Sequence, residues 1–327
     1  MAENKRFFYG WLILLTCILI MGLGYAPLVS CASLFTKPVT EDLGFTRSGY
    51  ALVSTIAALM MAFMSPFIGK IMSKPYMHKA LVVCMIGNCL AYYCYSFAST
   101  LPQFYVTAAC IGFFECGSTM IPVSVLITNW FRKKRGLVMS IAMVGSSIGG
   151  TILSPIIGNL IASQGWRFTY KAVGITRLVI LVPLVLLVIR RTPADMGTKA
   201  YGADEEGETG KARKTEREWN VSLKEVKKKP MFWCFVLGCT LISATAAVIT
   251  QIPASVMDAG YATTTAASIA SLYLFIAIPG KLVLGHIYDR YGVKAGILFG
   301  NTMFFLSVIC LIFIKHQPFL YLMAILF

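Results

Sequence analysis

Apolar residues come in long uninterrupted stretches along this chain, and polar residues are grouped between them. The first stretch runs from Phe7 to Thr36, thirty residues that include no Lys, Arg, Asp or Glu. A hydrocarbon core about 30 Å thick needs roughly 20 apolar residues of helix to cross it, and backbone groups in lipid must be paired within the segment. The pattern therefore predicts membrane-spanning helices in an all-α integral membrane protein.

Nine complete spans and the start of a tenth follow from the positions of these stretches. The composition agrees, because 57% of the residues are hydrophobic and 13% are charged, against about 45–50% and about 25% in ordinary globular proteins. The last stretch begins near Phe319 and runs to Phe327, which predicts a chain truncated within its tenth helix. The predicted spans are 9–35, 49–69, 80–98, 103–128, 136–161, 172–189, 231–257, 264–286 and 295–314, with the tenth from 319.

The basic residues predict the orientation of the spans. They are concentrated in alternate loops, such as residues 132–135, and are sparse in the other set of loops. By the positive-inside rule the N-terminus is cytoplasmic, and the protein is expected in the plasma membrane. The net charge of +15 then reflects topology and anionic lipid headgroups, and no nucleic-acid partner is expected. The sparse set of loops holds Lys37, Arg47, Arg167, Lys171 and Lys315.

Residues 190–230 differ from the rest of the chain in having almost no apolar content. Asp204–Glu208 is acidic and Lys211–Arg217 is basic, as in a solvated linker. The pattern predicts a cytoplasmic linker with a short amphipathic helix near Val221–Val226, acting either as a tether or as a regulatory docking site. The predicted domains are a six-helix bundle over 1–189, the linker over 190–230 and a truncated second bundle over 231–327.

The two sides of the linker show signs of duplication. A shift of 216 residues places Leu43–Ser48 on Ala259–Thr264 and Gly69 on Gly285, each pair at matching ends of predicted spans. Two related helical halves around a central linker are the usual plan of secondary transporters, in which the solute binds between the halves near the middle of the membrane.

The chain carries no constellation typical of soluble-enzyme chemistry. Its ten cysteines lie inside the apolar stretches without CxxC spacing, and three histidines are too few to complete a zinc site. The sequence contains no nucleotide-binding loop and no Ser–His pairing. We therefore expect no enzyme activity, no metal and no cofactor.

One loop resembles a family signature. The segment GHIYDRYGVK, from Gly285 to Lys294, resembles the G-x-x-x-D-R-x-G-x-[RK] loop of the major facilitator superfamily. The resemblance implies a cytoplasmic gating loop made by Gly285, Asp289, Arg290 and Gly292. In it, Asp289 would cap a helix end and form charge-assisted hydrogen bonds with a neighbouring helix. The matching loop of the first half, residues 69–75, lacks the Asp-Arg pair, so its latch should be weaker or differently built.

Three further segments resemble bacterial monocarboxylate and oxalate/formate-type carriers of that superfamily. They are FYGW from Phe8, LFTKPVTEDLGFTRS from Leu34 and NWFRKKRGLVMSIA from Asn129. The resemblance implies a monomer with the major facilitator fold, two pseudo-symmetric bundles of which the second is incomplete here. Val29 departs from the Lys that animal monocarboxylate carriers often have, which argues against their proton–lactate mechanism.

Lys281 lies inside predicted span 264–286, where a charge costs about 2.5–3.5 kcal/mol by insertion scales. In the carriers that the chain resembles, a basic residue at this place, usually Arg, binds the substrate carboxylate. The resemblance therefore implies that Lys281 binds substrate, although an ammonium lacks the planar fork of a guanidinium. The alternative is that Lys281 snorkels, since Gly285 lies only about 6 Å further along the helix.

Three other residues inside spans are candidates, each with a structural alternative. Glu115 lies in the middle of the fourth span, where a carboxyl that can be protonated suits proton coupling, or else a structural ion pair. Arg177 in the sixth span is expected to be a structural partner of Glu115 or of outer groups rather than a solute contact. Tyr25 matches a family tyrosine that lines the cavity, although tyrosine is common in membrane helices.

These observations predict a secondary transporter that moves a small organic anion, a mono- or dicarboxylate, by alternating access. The mode is either antiport against a counter-anion or proton symport. One alternative is a drug or sugar exporter of the same fold, which would not need Lys281. Another is a membrane solute sensor or receptor, against which the gating loop and the duplicated halves argue.

Overall fold

The computed structural model describes residues 8–202, 223–238, 240, 256, 263–313 and 316–326. Regular structure in these residues is helical, apart from one isolated parallel bridge between Phe131 and Tyr201. The predicted all-α fold is thus confirmed.

Helices labelled α1 to α10 follow the predicted spans in order within the described ranges. Their bounds are α1 Gly10–Leu43, α2 Arg47–Met72, α3 Met77–Phe97, α4 Leu101–Trp130, α5 and α6 together Arg135–Val188, α7 over 230–238, α8 and α9 together Thr263–Ile312, and α10 Gln317–Leu326.

Two glycines divide the longest helical stretches. Gly165 (φ 82°) separates α5 (135–164) from α6 (166–188), and Gly292 (φ 84°) separates α8 (263–291) from α9 (293–312). Glycine tolerates such positive φ values because it has no Cβ. Both breaks fall between spans that the sequence had already separated, so each glycine turns the chain between two membrane crossings.

Six helical stretches among the described residues are long and apolar enough to cross a membrane, which makes this a multi-pass membrane protein. The first continues to Leu43 and so is longer than the predicted span 9–35. Its extension is polar: Lys37 Nζ lies 3.8 Å from Glu41 Oε1 on the next turn, and both side chains are exposed. The helix therefore continues beyond the end of the apolar stretch.

The chain divides into two compact units. The first comprises the described residues up to Gly202 together with Ala277–Phe299, and the second comprises the remaining described residues. In the first unit an apolar cluster fills each end of the bundle. Met72 and Trp130 belong to the cluster near the start of α1, and Phe35 and Phe104 to the one near its end. The predicted domain boundaries at 189 and 230 remain a prediction.

The second unit has a small apolar core of its own. In α9, the Ser307 hydroxyl donates a hydrogen bond to the Met323 carbonyl of α10 at 3.1 Å, and both residues are buried. The apolar members of this core are Val256, Ile269, Cys310, Leu320, Met323 and Ala324.

Glycines allow α1 and α5 to meet backbone against backbone. A Cβ placed on Gly145 would lie 2.3 Å from the carbonyl oxygen of Ile18, and one on Gly149 would lie 2.3 Å from that of Gly22. Residues four apart lie on one helix face, and this small-xxx-small spacing is typical of close packing between membrane helices. The part of α5 that contains Gly145 and Gly149 is therefore packed directly against α1.

The beginning of the predicted linker packs against the end of α4. The indole nitrogen of Trp130 donates to the carbonyl of Arg190 at 2.9 Å, and the amide of Tyr201 donates to the carbonyl of Trp130 at 2.9 Å. A short helix spans Leu223–Val226, where one was expected near 221–226. The charged segments Asp204–Glu208 and Lys211–Arg217 lie outside the described residues.

Candidate functional site

A polar network crosses the middle of the first unit, between the two apolar end clusters. Asn88 of α3, Glu115 of α4 and Arg177 of α6 are all buried. Asn88 Nδ2 donates to Glu115 Oε2 at 2.8 Å, and Arg177 Nη2 donates to Asn88 Oδ1. Thr119, one turn after Glu115, donates from its hydroxyl to Glu115 Oε1 at 3.0 Å. Glu115 and Arg177 are thus brought together through an amide bridge.

The chemistry of the three groups determines how Asn88 is oriented. A guanidinium only donates hydrogen bonds, so the amide oxygen must face Arg177 and the amide NH2 must face Glu115. Glu115 then accepts hydrogen bonds at both carboxyl oxygens, as a charged carboxylate does. The bridge lets two buried charges compensate each other through a side chain that suits both.

Arg177 has further partners on α1 and α3. Its Nη2 donates to the carbonyl of Gly24 at 2.9 Å, and its guanidinium carbon lies 5.0 Å from the ring centroid of Tyr92. Such a cation–π contact is stabilising when the cation is shielded from water. Among the described residues, Arg177 Nε and Nη1 have no hydrogen-bond partner. Arg177 therefore lies within the bundle, linking three helices.

Tyr25 lies directly beside this network, at the end of a widened turn. Residues Ile20–Tyr25 form a π-helical turn, and Pro27, which has no N–H to donate, follows two residues later. Such turns are frequent at functional sites. Tyr25 is partly buried and packs against the apolar cluster near the start of α1. Its neighbour Gly24 is the residue whose carbonyl accepts from Arg177.

Lys281, on α8, makes its contacts with α5. Its Nζ donates to Ser147 Oγ at 2.7 Å, to Ser146 Oγ at 3.1 Å and to the carbonyl of Met143 at 3.2 Å. All three donors of the ammonium therefore have an acceptor on one neighbouring helix. The side chain is partly buried.

The side chain of Asp289, on α8, reaches the first turn of α5. Its Oδ1 accepts from the amide of Gly136 and its Oδ2 from the amide of Leu137, both at 2.8 Å. The first amides of a helix have no partner within the helix and carry partial positive charge, so a carboxylate is stabilising there. Asp289 thus caps a helix that is distant in sequence.

The helices α5 and α8 meet along one line of residues, which we call the α5–α8 seam. Near the start of α5, small residues bring the two backbones close together, since a Cβ on Gly285 would lie 2.9 Å from the carbonyl oxygen of Gly136. On each helix the members recur every three to four residues and therefore share a face. The seam consists of Gly136, Leu137, Ser140, Met143, Ser146 and Ser147 on α5 and Lys281, Gly285 and Asp289 on α8.

The other residues of the predicted gating loop have separate positions. Gly292 makes the turn with positive φ that ends α8. Arg290 is exposed, with its guanidinium carbon 5.5 Å from the ring centroid of Tyr291. Within the described residues the loop therefore contacts α5 through Gly285 and Asp289.

Sequence reasoning missed four polar residues of these two sites: Asn88, Thr119, Ser146 and Ser147. Charged residues stand out in an apolar sequence, because a charge in lipid is costly. An amide or hydroxyl costs less and is common in membrane helices. A signal was nevertheless available for Asn88, which stands among apolar residues in the stretch MIGNCLAYY.

Comparison with curated proteins finds transporters. Human monocarboxylate transporter 2 is 24% identical over 229 residues, which cover 69% of this chain and 45% of that protein. The MFS-type transporter pytF of Aspergillus terreus is 26% identical over 209 residues, covering 64% of this chain and 62% of that protein. The chain thus spans less than two thirds of the length of either relative.

Two solved structures share the fold. A bacterial homolog of the human lysosomal transporter Spinster, inward-facing and unoccupied, superposes with a TM-score of 0.63 at 17% identity, covering 99% of this chain and 74% of that one. The proton:xylose symporter XylE superposes with a TM-score of 0.59 at 14% identity, covering 97% and 79%.

The family model of the Major Facilitator Superfamily matches residues 11–327, nearly the whole chain. This match agrees with the signature loop at Gly285–Lys294 and with the superposed folds. The chain therefore belongs to the Major Facilitator Superfamily.

Proposed function

We propose that this protein is a secondary transporter that carries a small organic anion, a mono- or dicarboxylate, across the plasma membrane by alternating access. The observation that carries the proposal is Lys281. A cation inside an apolar span is expensive, and among the described residues its ammonium contacts the hydroxyls of Ser146 and Ser147 on α5 and no acidic side chain. An anionic solute is the natural counter-charge for such a group.

The relatives support the same solute class. Human monocarboxylate transporter 2 and chicken monocarboxylate transporter 4 are both named for monocarboxylates, and the segments FYGW and NWFRKKRGLVMSIA resemble bacterial carriers of small carboxylates. An ammonium donates as a point charge and does not grip both oxygens of a carboxylate as a guanidinium does. We therefore place monocarboxylates ahead of dicarboxylates such as oxalate.

Glu115 supports proton symport as the coupling mode. When Glu115 is charged, Asn88 and Thr119 donate to its two oxygens. When Glu115 is protonated, its new O–H can donate to the Thr119 hydroxyl. That hydroxyl can in turn donate to the main-chain carbonyl oxygen of Glu115, which lies 3.0 Å away. The site can thus accept a proton by turning one hydroxyl.

The alternative coupling mode is antiport against a second anion. In that mode Lys281 would bind the anion in both directions of transport, and Glu115 would be only a structural partner of Arg177.

The gating device in this proposal is the α5–α8 seam. Asp289 closes one end of the seam by capping α5, and the resemblance assigns that end to the cytoplasm. The linker 190–230 and the N-terminus lie on the same side in this proposal. Opening toward the cytoplasm would require Asp289 to release the amides of Gly136 and Leu137.

The Asp289→Asn variant is expected to weaken this cap. Asparagine offers one acceptor where aspartate offers two, and it turns an NH2 toward an N–H group. Hydrogen bonds to charged groups contribute about 1.5–3 kcal/mol, so we expect the amides at 136 and 137 to exchange hydrogen roughly ten-fold faster. Hydrogen–deuterium exchange with mass spectrometry of the peptide covering the start of α5 measures this.

Asp195→Asn is the matched control. Asp195 also accepts from a backbone amide, that of Thr192 at 2.9 Å, but within its own turn. Its replacement should leave exchange at the start of α5 unchanged. Equal exchange in Asp289→Asn and wild type would contradict the role of Asp289 as the closure of the seam.

Uptake by proteoliposomes tests the proposed function directly. The purified protein is reconstituted and offered radiolabelled acetate, lactate, formate, oxalate and xylose, with an inward proton gradient, with an internal counter-anion, or with neither. We expect saturable uptake of at least one monocarboxylate that depends on the proton gradient. Dependence on the counter-anion alone would identify antiport instead.

The remaining outcomes separate the alternatives. Uptake of xylose without any carboxylate would favour a sugar carrier of the same fold. Binding of a carboxylate without flux would favour a sensor or receptor. Absence of both binding and flux for every carboxylate tested would remove the proposed solute class.

A further inference from the structure

The two serines that face Lys281 are adjacent in sequence but not equivalent. Ser147 is buried and its Oγ lies 2.7 Å from Lys281 Nζ, the shortest of the three contacts of this ammonium. Ser146 is partly buried and its Oγ lies 3.1 Å from the same atom. Both hydroxyl oxygens accept a hydrogen bond, because an ammonium only donates.

The hydroxyl protons of the two serines differ in what they can do. The Ser146 hydroxyl donates to the carbonyl of Met143 at 2.8 Å, so its proton is already engaged within α5. Among the described residues, no acceptor takes the proton of the Ser147 hydroxyl. Ser147 therefore holds one unused donor directly beside the cation of the seam.

We propose that Ser147 is a second ligand of the transported carboxylate, acting together with Lys281. In the structure the Ser147 oxygen accepts one of the three hydrogen bonds that the ammonium donates. When the anion enters, one carboxylate oxygen takes over that hydrogen bond and the other accepts the Ser147 proton. This inference rests on the proposed function and adds to it a residue that selects for carboxylates.

The pairing supplies what lysine lacks. An ammonium binds an anion as a point charge, whereas a carboxylate presents two oxygens in a plane. A hydroxyl donor less than 3 Å from the ammonium provides the second point of attachment. The pair should therefore prefer a carboxylate to a spherical anion such as chloride, for which a second directed donor brings less advantage.

The same exchange of partners links binding to movement. Lys281 holds α8 to α5 through the two serines and the Met143 carbonyl. A carboxylate that takes the place of Ser147 removes the shortest of these contacts. Binding would then loosen the seam at Lys281, while Asp289 still holds it at the start of α5.

Variants of the two serines test the inference by uptake in proteoliposomes. The substrate is whichever of acetate, lactate, formate and oxalate half-saturates wild-type uptake at the lowest concentration, and the quantity compared is that half-saturating concentration. A hydrogen bond to a charged group contributes about 1.5–3 kcal/mol, so Ser147→Ala should raise the half-saturating concentration about ten-fold or more. Ser147→Thr keeps the hydroxyl and should stay within about three-fold of wild type. Ser146→Ala removes a hydroxyl whose proton is already bonded to the Met143 carbonyl, so it should raise that concentration clearly less than Ser147→Ala does.

Three comparisons guard against a merely structural effect. Ser163→Ala removes an exposed hydroxyl of α5 that bonds only within its own helix and should behave as wild type. In a Lys281→Arg background, which should retain uptake, Ser147→Ala should raise the half-saturating concentration less than in wild type, because a guanidinium donates to both carboxylate oxygens by itself. Chloride inhibition of uptake should be less affected by Ser147→Ala than carboxylate affinity.

The outcomes separate this inference from the proposed function. If wild type takes up a carboxylate and Ser147→Ala has the wild-type half-saturating concentration, Ser147 is no ligand and the inference fails alone. Equal increases for Ser146→Ala and Ser147→Ala would also overturn it, since they would indicate a general effect on the seam. If wild type neither binds nor transports any carboxylate, the proposed function fails and the inference with it.

Discussion

The Lys281→Gln variant is expected to lose carboxylate uptake almost completely, with kcat/KM reduced at least 100-fold. Truncating one member of a buried, hydrogen-bonded charge pair costs about 2–5 kcal/mol, and ten-fold in rate corresponds to about 1.4 kcal/mol. Glutamine can still donate to Ser147 but carries no charge to compensate the anion. Initial rates of labelled acetate and lactate uptake by proteoliposomes measure the loss.

Two further lysine variants make this result specific. Lys281→Arg keeps the charge and should retain measurable uptake, with oxalate gaining relative to acetate because a guanidinium forks to two oxygens. Lys79→Gln removes an exposed lysine from the start of α3 and should transport as wild type. If Lys281 only snorkels to the membrane surface, Lys281→Gln will transport at the wild-type rate, and Lys281 leaves the proposed site.

The Arg177→Met variant is expected to cause the largest loss of stability. Methionine replaces the length of the side chain but leaves the Glu115 carboxylate buried without its counter-charge. Breaking a buried pair in this way costs about 3–5 kcal/mol. We expect a clear drop in the midpoint of thermal unfolding in detergent, measured by intrinsic tryptophan fluorescence.

A second substitution should rescue much of that loss. Glu115→Gln in the Arg177→Met background removes the uncompensated charge, while its amide can still pair with Asn88 and Thr119. Removing both members of a buried pair is far less costly than removing one. The double variant should therefore unfold at a higher temperature than Arg177→Met alone.

Arg167→Met is the matched control for Arg177→Met. Arg167 also stacks on an aromatic ring, that of Trp166 at 4.2 Å, and lies 3.9 Å from Asp42, but this ion pair is partly exposed to solvent. Exposed pairs contribute about 0–1 kcal/mol. Similar unfolding temperatures for Arg167→Met and Arg177→Met would show that the central network does not hold the bundle together.

The sequence predicted the positions of the helices well where a single property decides them. Thirty residues without a charge must be buried in lipid or in protein, and a helix is the structure that pairs its own backbone there. The helix α1 continues beyond the predicted span 9–35, because Lys37 and Glu41 extend it after the apolar stretch has ended. Apolar content locates the membrane, whereas the helix ends where backbone pairing ends, at Gly44 with φ 68°.

Asn88 illustrates what the sequence could not reveal about the candidate site. Its amide has a meaning only because α3 places it between a carboxylate on α4 and a guanidinium on α6. Asn88, Glu115 and Arg177 are far apart along the chain, and helical periodicity relates only residues a few positions apart. A sequence shows which charges must be compensated in a membrane, but not which neutral side chain connects them.

The seam between α5 and α8 depends on tertiary structure in the same way. The sequence alone determined that the chain crosses the membrane repeatedly, that Lys281 stands in an apolar span and that Asp289 belongs to a family signature, because each follows from a local run of residues. Only the folded chain decided that Ser147 lies beside Lys281 and that Asp289 caps α5. These contacts join residues more than 130 positions apart, and their geometry depends on how two helices pack, which no local pattern specifies.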